Sequence, residues 1–518
     1  MHIGIYNRWL PTLGGGERYT LDFARVFARD GHQVELLTHQ PLELAAIQER
    51  LALDLERIQL RNVPDSPGNE RVSAASADYD LFLNLSHGDL FRSQARRSAL
   101  VVHFPAPLEA YVMGGVPVSL SKAALVPSRV TWLSGTYPPE TDGLQSWTWT
   151  GPRARIEVAR CWPLPARTLV IRLADLLPPS IAAPPVRLYI NGRRIAERSD
   201  AWTTWRMALP KPARRGQTLT VELEMEPWTL RRAGLAADDR ERGVPLHSVG
   251  LVHNRLEERL AAQSWSAFHT TRRSLSEVER ALGSYTIILA NSRFTQRWIE
   301  RRWQRRSEVL YPAVDVAAGP AQATPKRPVI ISVGRFFAGA HNKQHLPMIE
   351  AFRALCDAGL RGWEYHLVGG CDLDQPAQRA YLRRVQAAAV GYPIQVHVNS
   401  PLATVRQLYS SASLFWHAAG FGEDEERNPD AVEHFGITTI EAMAAACVPV
   451  VIAKGGQVET VEAGVSGLLW HTLAELQAHT RLLIEDAALR ERLAAGARVR
   501  SQQFSFQVFA ARVQDVFD

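Results

Sequence analysis

The feature that most constrains the fold of this chain is a change of hydrophobic period that happens twice. The opening segment alternates strand and helix. "HIGIY" is a short apolar strand, "LPTLGGGE" a glycine-rich loop, "RYTLDFARVFARD" a helix stopped by Gly31, and "QVELLTH" the next strand. "DLFLNLS", "SALVVHF" and "YTIILANS" continue as short buried strands. Between residues 113 and 252 the period falls to two. Segments such as "RARIEVAR", "TLVIRLADL", "VRLYINGRRIAE" and "TLTVELEM" are divided by Pro and Gly, "SWTWTG" stands apart from "RARIEVAR", and "NG" at 191–192 signals a hairpin. From residue 309 strand and helix alternate again, through "RPVIISVGRF", "EYHLVGG", "SLFWHAA" and "VPVVIA". That alternation requires a parallel sheet covered on both faces. The order predicts an α/β protein with two Rossmann-like domains facing a cleft and an all-β sandwich inserted in the first. The expected boundaries are 1–112 and 253–308 for the two parts of the first domain, 113–252 for the insertion, and 309–500 for the second domain. Residues 501–518 are expected to form a helix that packs back on the first domain.

Length and charge agree with this division. A chain of 518 residues is too long for one core. A net charge of +6 gives no reason to expect nucleic acid, and permits weak attraction to anionic membranes or acidic substrates. Only five of the 59 basic residues are lysines, at 122, 211, 326, 343 and 454, so each retained lysine draws notice. The four cysteines form no CxxC pair and no zinc spacing. The longest apolar run, "AMAAACVPVVIA", has 12 residues and contains Pro449, too short to span a bilayer. The N-terminus shows no signal peptide. A cytoplasmic chain is expected, with at most peripheral contact with the inner face of a membrane.

The residues that carry chemistry cluster in "EHFGITTIE", 433–441. Gly436 breaks the segment and a helix follows, with Thr438 or Thr439 near its cap. Glu433 precedes the helix start and Glu441 lies about a turn inside it. The free amides between them suit an anion. Two acids around an anion cradle match a nucleotide sugar, a diphosphate between two hydroxyl-bearing rings. Arg335, ending a strand in "SVGRF", and Lys343, in "AHNKQH", would stand at the carboxyl edge of the second sheet, where ligands bind in open α/β folds.

In order, "GGGER", "ANSRFT", "VLYPAVD", "SVGRF", "LVGG", "EHFGITTIEAMAA" and "VPVVIAKGGQVE" resemble the family 4 glycosyltransferases of the retaining GT-B type, over nearly all of 1–112 and 253–500. "VVHFP" and "EHFGI" are especially similar to the mannosyltransferase that extends the dolichol-linked core in eukaryotes and to its bacterial relatives. The insertion resembles a jelly-roll-like sandwich, on "GTYPPE", "WTWTG" and "RGVPLHSVGL". The resemblance implies that Glu433 meets the transferred sugar near its reacting carbon and Glu441 the ribose hydroxyls. Arg335 and Lys343 would hold the diphosphate, with backbone donors at Phe435, Gly436 and Ile437. Gly15 and Gly16 would face the donor, and His103 would contact the sugar or reaction centre. One departure is Ala446, where the family has Gly at a helix end.

The function implied is transfer of a hexose, mannose from GDP-mannose, to a glycan or lipid-linked glycan, with no cofactor and no metal. The alternatives are a UDP-sugar donor and a non-catalytic polysaccharide-binding scaffold. Asp372 and Asp374 in "CDLDQ" form a DxD and are read as loop residues. "RWIERRWQRR" is read as a helix whose Trp298 and Ile299, with Phe294, pack inward while its arginines stay solvated. "GEDEERNPDAVE" is an acidic loop read as a contact for the acceptor, and the insertion's tryptophans as sandwich core.

Overall fold

The computed structural model describes the chain apart from residues 13, 41, 67–68, 115–127, 138–139, 142–145, 175, 177–184, 200–201, 230–239, 262–268, 273–274, 317–324, 338, 340–341 and 374. The described residues form two compact units. One comprises Met1–Leu13, Phe27–Leu100 and Ala106–Ile287; the other comprises Gly14–Val26, Val101–Pro105 and Ile288–Asp518.

In the first unit five neighbouring strands of a parallel sheet run in the order Arg97–Val102, Leu81–Asn84, His2–Tyr6, Gln33–Thr38 and Ile58–Asn62. His2–Tyr6 is central because Ile3 pairs with Val34 on one side and Leu81 on the other. Ile3 and Ile5 are fully buried, as strands covered on both faces require. At the carboxyl edge Arg8 is held between Asp89 (2.9 Å) and Asp65 (3.0 Å).

The same unit contains an antiparallel body. Its main path is Arg193–Arg198, Val186–Ile190, Thr218–Met225, Ser146–Arg160, Pro245–Val252, Ala166–Leu173 and Thr204–Ala213. Alternate residues of these strands point inward, and Ile156, Leu188, Val221, Ile171, Trp205 and Leu251 share one core. Asn191 and Gly192 make the expected hairpin turn, both with positive φ. Trp147, Trp149, Trp202 and Trp205 are buried, as expected of core residues.

Two expectations are corrected here. "SWTWTG" and "RARIEVAR" are one strand, Ser146–Arg160, and not two. Gly151–Pro152 marks where it changes partners: Trp149 and Thr148 pair with Pro245 and Leu246, while Arg153 onward pairs with Thr218–Met225. The body also continues past residue 252. Met113 and Gly114 pair with Arg272 and Thr271 of the strand His269–Arg272. The helix Arg255–Ala261 is pinned by Glu257 to Arg160 (2.6 Å) and by Glu258 to Arg172 (2.9 Å) and Arg206 (2.7 Å). A boundary at 252 falls inside this body, because ion pairs and a returning strand continue it where the alternating pattern stops.

In the second unit six parallel strands are ordered Ile394–Val398, Glu364–Gly369, Arg327–Val333, Ala412–His417, Val448–Ile452 and Leu468–Trp470. Numbered along the chain that order is 3-2-1-4-5-6, the doubly wound order. Successive residues face opposite layers. Ile330 joins a core with Phe352 and Leu476, and Ile331 joins one with Tyr409 and Met443. The terminal helix Phe506–Phe517 lays Phe509 against Tyr19 and Phe23 of the helix Gly15–Arg29. In the helix Arg293–Trp303 the Ser292 side chain accepts from the Thr295 N–H, while Phe294, Trp298 and Ile299 are buried. Among the described residues no helix is long and apolar enough to cross a membrane.

Candidate functional site

In a 3-2-1-4-5-6 sheet the chain leaves in opposite directions after strands 1 and 4, opening a crevice at their carboxyl ends. Here those strands are Arg327–Val333 and Ala412–His417. Gly334 and Arg335 follow the first, and His417 ends the fourth. Lys343 folds back over Gly334, where an added Cβ would lie 2.5 Å from the lysine Cγ, so a side chain at 334 would displace it.

The helix Ile437–Ala444 begins beside this crevice. Its N-cap is Gly436, at φ 104°, with no side-chain cap. Neither Thr438 nor Thr439 caps, as the sequence suggested: both fall inside the first turn, and among the described residues the buried Thr439 Oγ1 has no hydrogen-bond partner. Gly455 and Gly456 support the entry. Cβ atoms there would come within 2.2 Å of the Glu433 carbonyl and 2.4 Å of the His434 carbonyl, and the Gly456 N–H donates to the Glu433 carbonyl at 2.7 Å. The glycine pair in "AKGGQ" therefore admits close backbone approach.

The two glutamates have opposite electrostatics. Glu433 is ion-paired with Lys343 and accepts from His417 Nε2 at 3.0 Å. Burial works against its charge, but the Lys343 ammonium and the His417 N–H outweigh it and hold the carboxyl well below the usual range. Glu441 is the reverse. Burial pushes it up, opposed by Arg18 and by the Tyr409 hydroxyl, which donates to its Oε2 at 3.2 Å. Glu441 lines a recess walled by Leu402, Val405, Ala444 and Ala445, with Arg18 on its polar side.

Most of the residues singled out in the sequence converge. An added Cβ on Gly15 would lie 2.8 Å from Ile437 Cδ1, and one on Gly16 3.2 Å from His103 Cε1. Both glycines lie in the first turn of Gly15–Arg29 and not in a loop, with the Gly14 N–H donating to Glu17 Oε2 at 2.7 Å. "VVHFP" and "EHFGI" meet directly, since Phe104 stacks on His434 at 4.0 Å between ring centroids. Phe435 turns its side chain into a cluster with Val314, Ile440 and Phe504, leaving only its backbone for a ligand. Arg335 is exposed, with its Cγ beside Gly370.

The acidic loop is tied down. Glu425 accepts from the Gly455 N–H, Glu426 pairs with Arg301 at 2.5 Å, and Asp430 pairs with Arg302 at 2.8 Å. The arginines of "RWIERRWQRR" are not all solvated, since Arg301 and Arg302 also cover the Trp298 ring. Asp374 of the DxD lies outside the described residues. Sequence reasoning missed His417, Arg18 and Tyr409. His417 closes an apolar run in which nothing marks it as polar-facing, and Arg18 looks like an ordinary helix-surface arginine.

Residues 319–500 match the family described as glycosyl transferases group 1. The chain is similar to the GDP-Man:Man(3)GlcNAc(2)-PP-Dol alpha-1,2-mannosyltransferase of Xenopus laevis, at 26% identity over 181 residues, 33% of this chain and 34% of that one. It therefore spans about a third of that relative's length. Its fold is similar to sucrose-phosphate synthase from Thermosynechococcus elongatus (TM-score 0.52, 12% identity, covering 100% and 98% of the two chains). It is also similar to Anabaena HepE in complex with UDP and glucose (TM-score 0.50, 14% identity, covering 100% and 99%). The protein thus has the GT-B fold, and residues 319–500 carry its group 1 glycosyltransferase domain.

Proposed function

We propose that this protein is a retaining hexosyltransferase that moves mannose from GDP-mannose to a glycan or lipid-linked glycan. The observation that carries the reading is the arrangement around the start of Ile437–Ala444. An ionised Glu433 lies on one side with Lys343, and Glu441 lies on the other in a recess it shares with Arg18 and Tyr409. A nucleotide sugar laid across that helix start meets the sugar-facing acid, then the diphosphate-binding amides and Lys343, then the ribose-facing acid. The similarity to a GDP-mannose-dependent transferase favours this donor.

The chemistry follows from the charges. Cleavage of the sugar–phosphate bond leaves negative charge on the β-phosphate. Lys343, Arg335 and the helix start are preorganised to stabilise it. The departing phosphate then helps remove the proton of the acceptor hydroxyl, which attacks from the face the phosphate leaves. Glu433 is assigned to the sugar and Glu441 to the ribose, so the pair is not the acid–nucleophile pair of a hydrolase.

A thermal-shift panel of GDP, UDP, ADP and dTDP tests the donor, because only a ligand that binds the folded state raises the melting temperature. GDP is expected to give the largest shift. A larger shift with UDP replaces the donor with a UDP-sugar; UDP is bound in the HepE complex. No shift with any nucleotide favours a non-catalytic scaffold.

A further inference from the structure

Both polar groups that hold Glu433 use the same oxygen. Lys343 Nζ and His417 Nε2 are both hydrogen-bonded to Oε2, and among the described residues no hydrogen bond reaches Oε1. The Glu433 side chain is 18% exposed, so the carboxylate is not sealed off. His417 is 3% exposed at the end of the strand Ala412–His417, with its ring stacked on Phe415 at 6.5 Å. Since an ionised carboxylate only accepts, His417 donates through Nε2–H. Its Nδ1, buried and without a partner among the described residues, then carries the lone pair.

We propose that His417 is the positioning residue of Glu433: it fixes the carboxylate through Oε2 and presents Oε1 to the substrate. The proposal rests on the reading of Glu433 as the sugar-facing acid. Lys343 cannot fill this role alone. It is an ammonium on a flexible stem, and the same charge is called on by the diphosphate when a donor binds. His417 is held on the sheet and, among the described residues, has no other hydrogen-bond partner. Burial also lowers its pKa against the pull of Glu433, which favours a neutral ring that brings no second cation toward the sugar. The other groups facing the pair are Lys343 and His345. Burial pushes His345 down to about 3, which leaves it uncharged as well.

The test compares wild type, His417→Phe and His417→Gln. Phe keeps the ring and its packing without the donor, whereas Gln restores an N–H donor. Transfer kinetics are followed against pH, and GDP and UDP binding by calorimetry. His417→Phe is expected to lower kcat on the order of 100-fold, the usual scale for a misplaced catalytic group, at unchanged donor KM and nucleotide affinity. The acidic limb of its kcat profile moves to higher pH, because Glu433 loses a bond that favoured its charged form. His417→Gln is expected to restore most of kcat and the position of the limb. Wild-type kcat and profile in His417→Phe overturn the proposal, and so does equal loss of nucleotide binding in both variants. Glu433→Gln separates the two levels: if it transfers normally, the role of Glu433 itself falls. If it is inactive while His417→Phe is active, only the positioning role falls.

Discussion

Glu433 and Glu441 stand on either side of one helix start, yet their surroundings push them in opposite directions. Glu433→Gln removes the charge that Lys343 and His417 face. It is expected to reduce transfer at least about 100-fold, by analogy with other catalytic acids and bases, while nucleotide affinity measured by calorimetry stays near wild type. Glu441→Gln acts in the recess and is expected mainly to weaken nucleotide binding. Equal loss of affinity in both variants would end this division of roles. The depressed pKa of Glu433 also fixes a direction for pH. The carboxylate and its ion pair persist through mildly acidic pH, above the unfolded carboxyl pKa. They are lost only as pH falls through the lower folded value, so kcat at saturating donor should not decline across the ordinary carboxylate range. Lys343→Ala and Arg335→Ala should each weaken diphosphate binding, with a larger effect at low salt than at high salt, because the attraction is screened. Transfer is also expected to survive EDTA, the outcome that follows when cationic side chains rather than a metal hold the diphosphate; full loss restored by manganese would return the DxD loop to the site.

At the scale of elements, the helix Ile437–Ala444 shows how backbone geometry builds the site. Its start depends on Gly436 at φ 104° and on Gly455 and Gly456 packed against the preceding carbonyls. Its far end is followed by Ala446 at φ 59°, a left-handed conformation that disfavours a Cβ. Ala446→Gly should relieve that strain and raise stability by up to about 1 kcal/mol, part of it offset by the greater freedom of glycine in the unfolded chain. The measurement is a shift in denaturant midpoint at constant slope. A destabilised variant would show that the site tolerates alanine through packing that outweighs the strain. Lys326 supports this same end, donating to the Ala445 carbonyl at 2.5 Å.

At the scale of the whole molecule, the antiparallel body raises the question of where it can be cut. Met113 and Arg272 are paired neighbours, so a short linker could join the chain there. A cut at residue 252 instead leaves Glu257 and Glu258 without Arg160, Arg172 and Arg206. The Arg160 side chain is wholly buried, so the cut also strips the helix Arg255–Ala261 of the surface it is pinned to. Replacing 113–272 with a Gly/Ser linker should therefore give a better-folded protein than replacing 113–252, as judged by thermal unfolding. We expect the better-folded variant to bind nucleotide normally and to lose transfer to a long natural acceptor far more than slow hydrolysis of the donor. Loss of nucleotide affinity in a folded variant would place the body in the donor site.

The sequence by itself determined what depends on local period and local chemistry. The parallel sheets, the antiparallel middle, the Asn-Gly hairpin and the acids flanking one helix start all follow from side-chain alternation, turn residues and an interrupting glycine. Tertiary structure decided whatever depends on residues far apart in the chain. Lys343 and Glu433 are 90 positions apart, and only the 3-2-1-4-5-6 strand order puts their loops in one crevice. Gly15 and Gly16 read as a loop, but packing against Ile437 and His103 sets them in a helix turn. The strand Ser146–Arg160 continues through Gly-Pro because it gains new partners there, which no local propensity can announce. His417 was silent for the same reason. A histidine at the end of an apolar strand acquires a role only from the carboxylate that a distant turn brings within 3.0 Å.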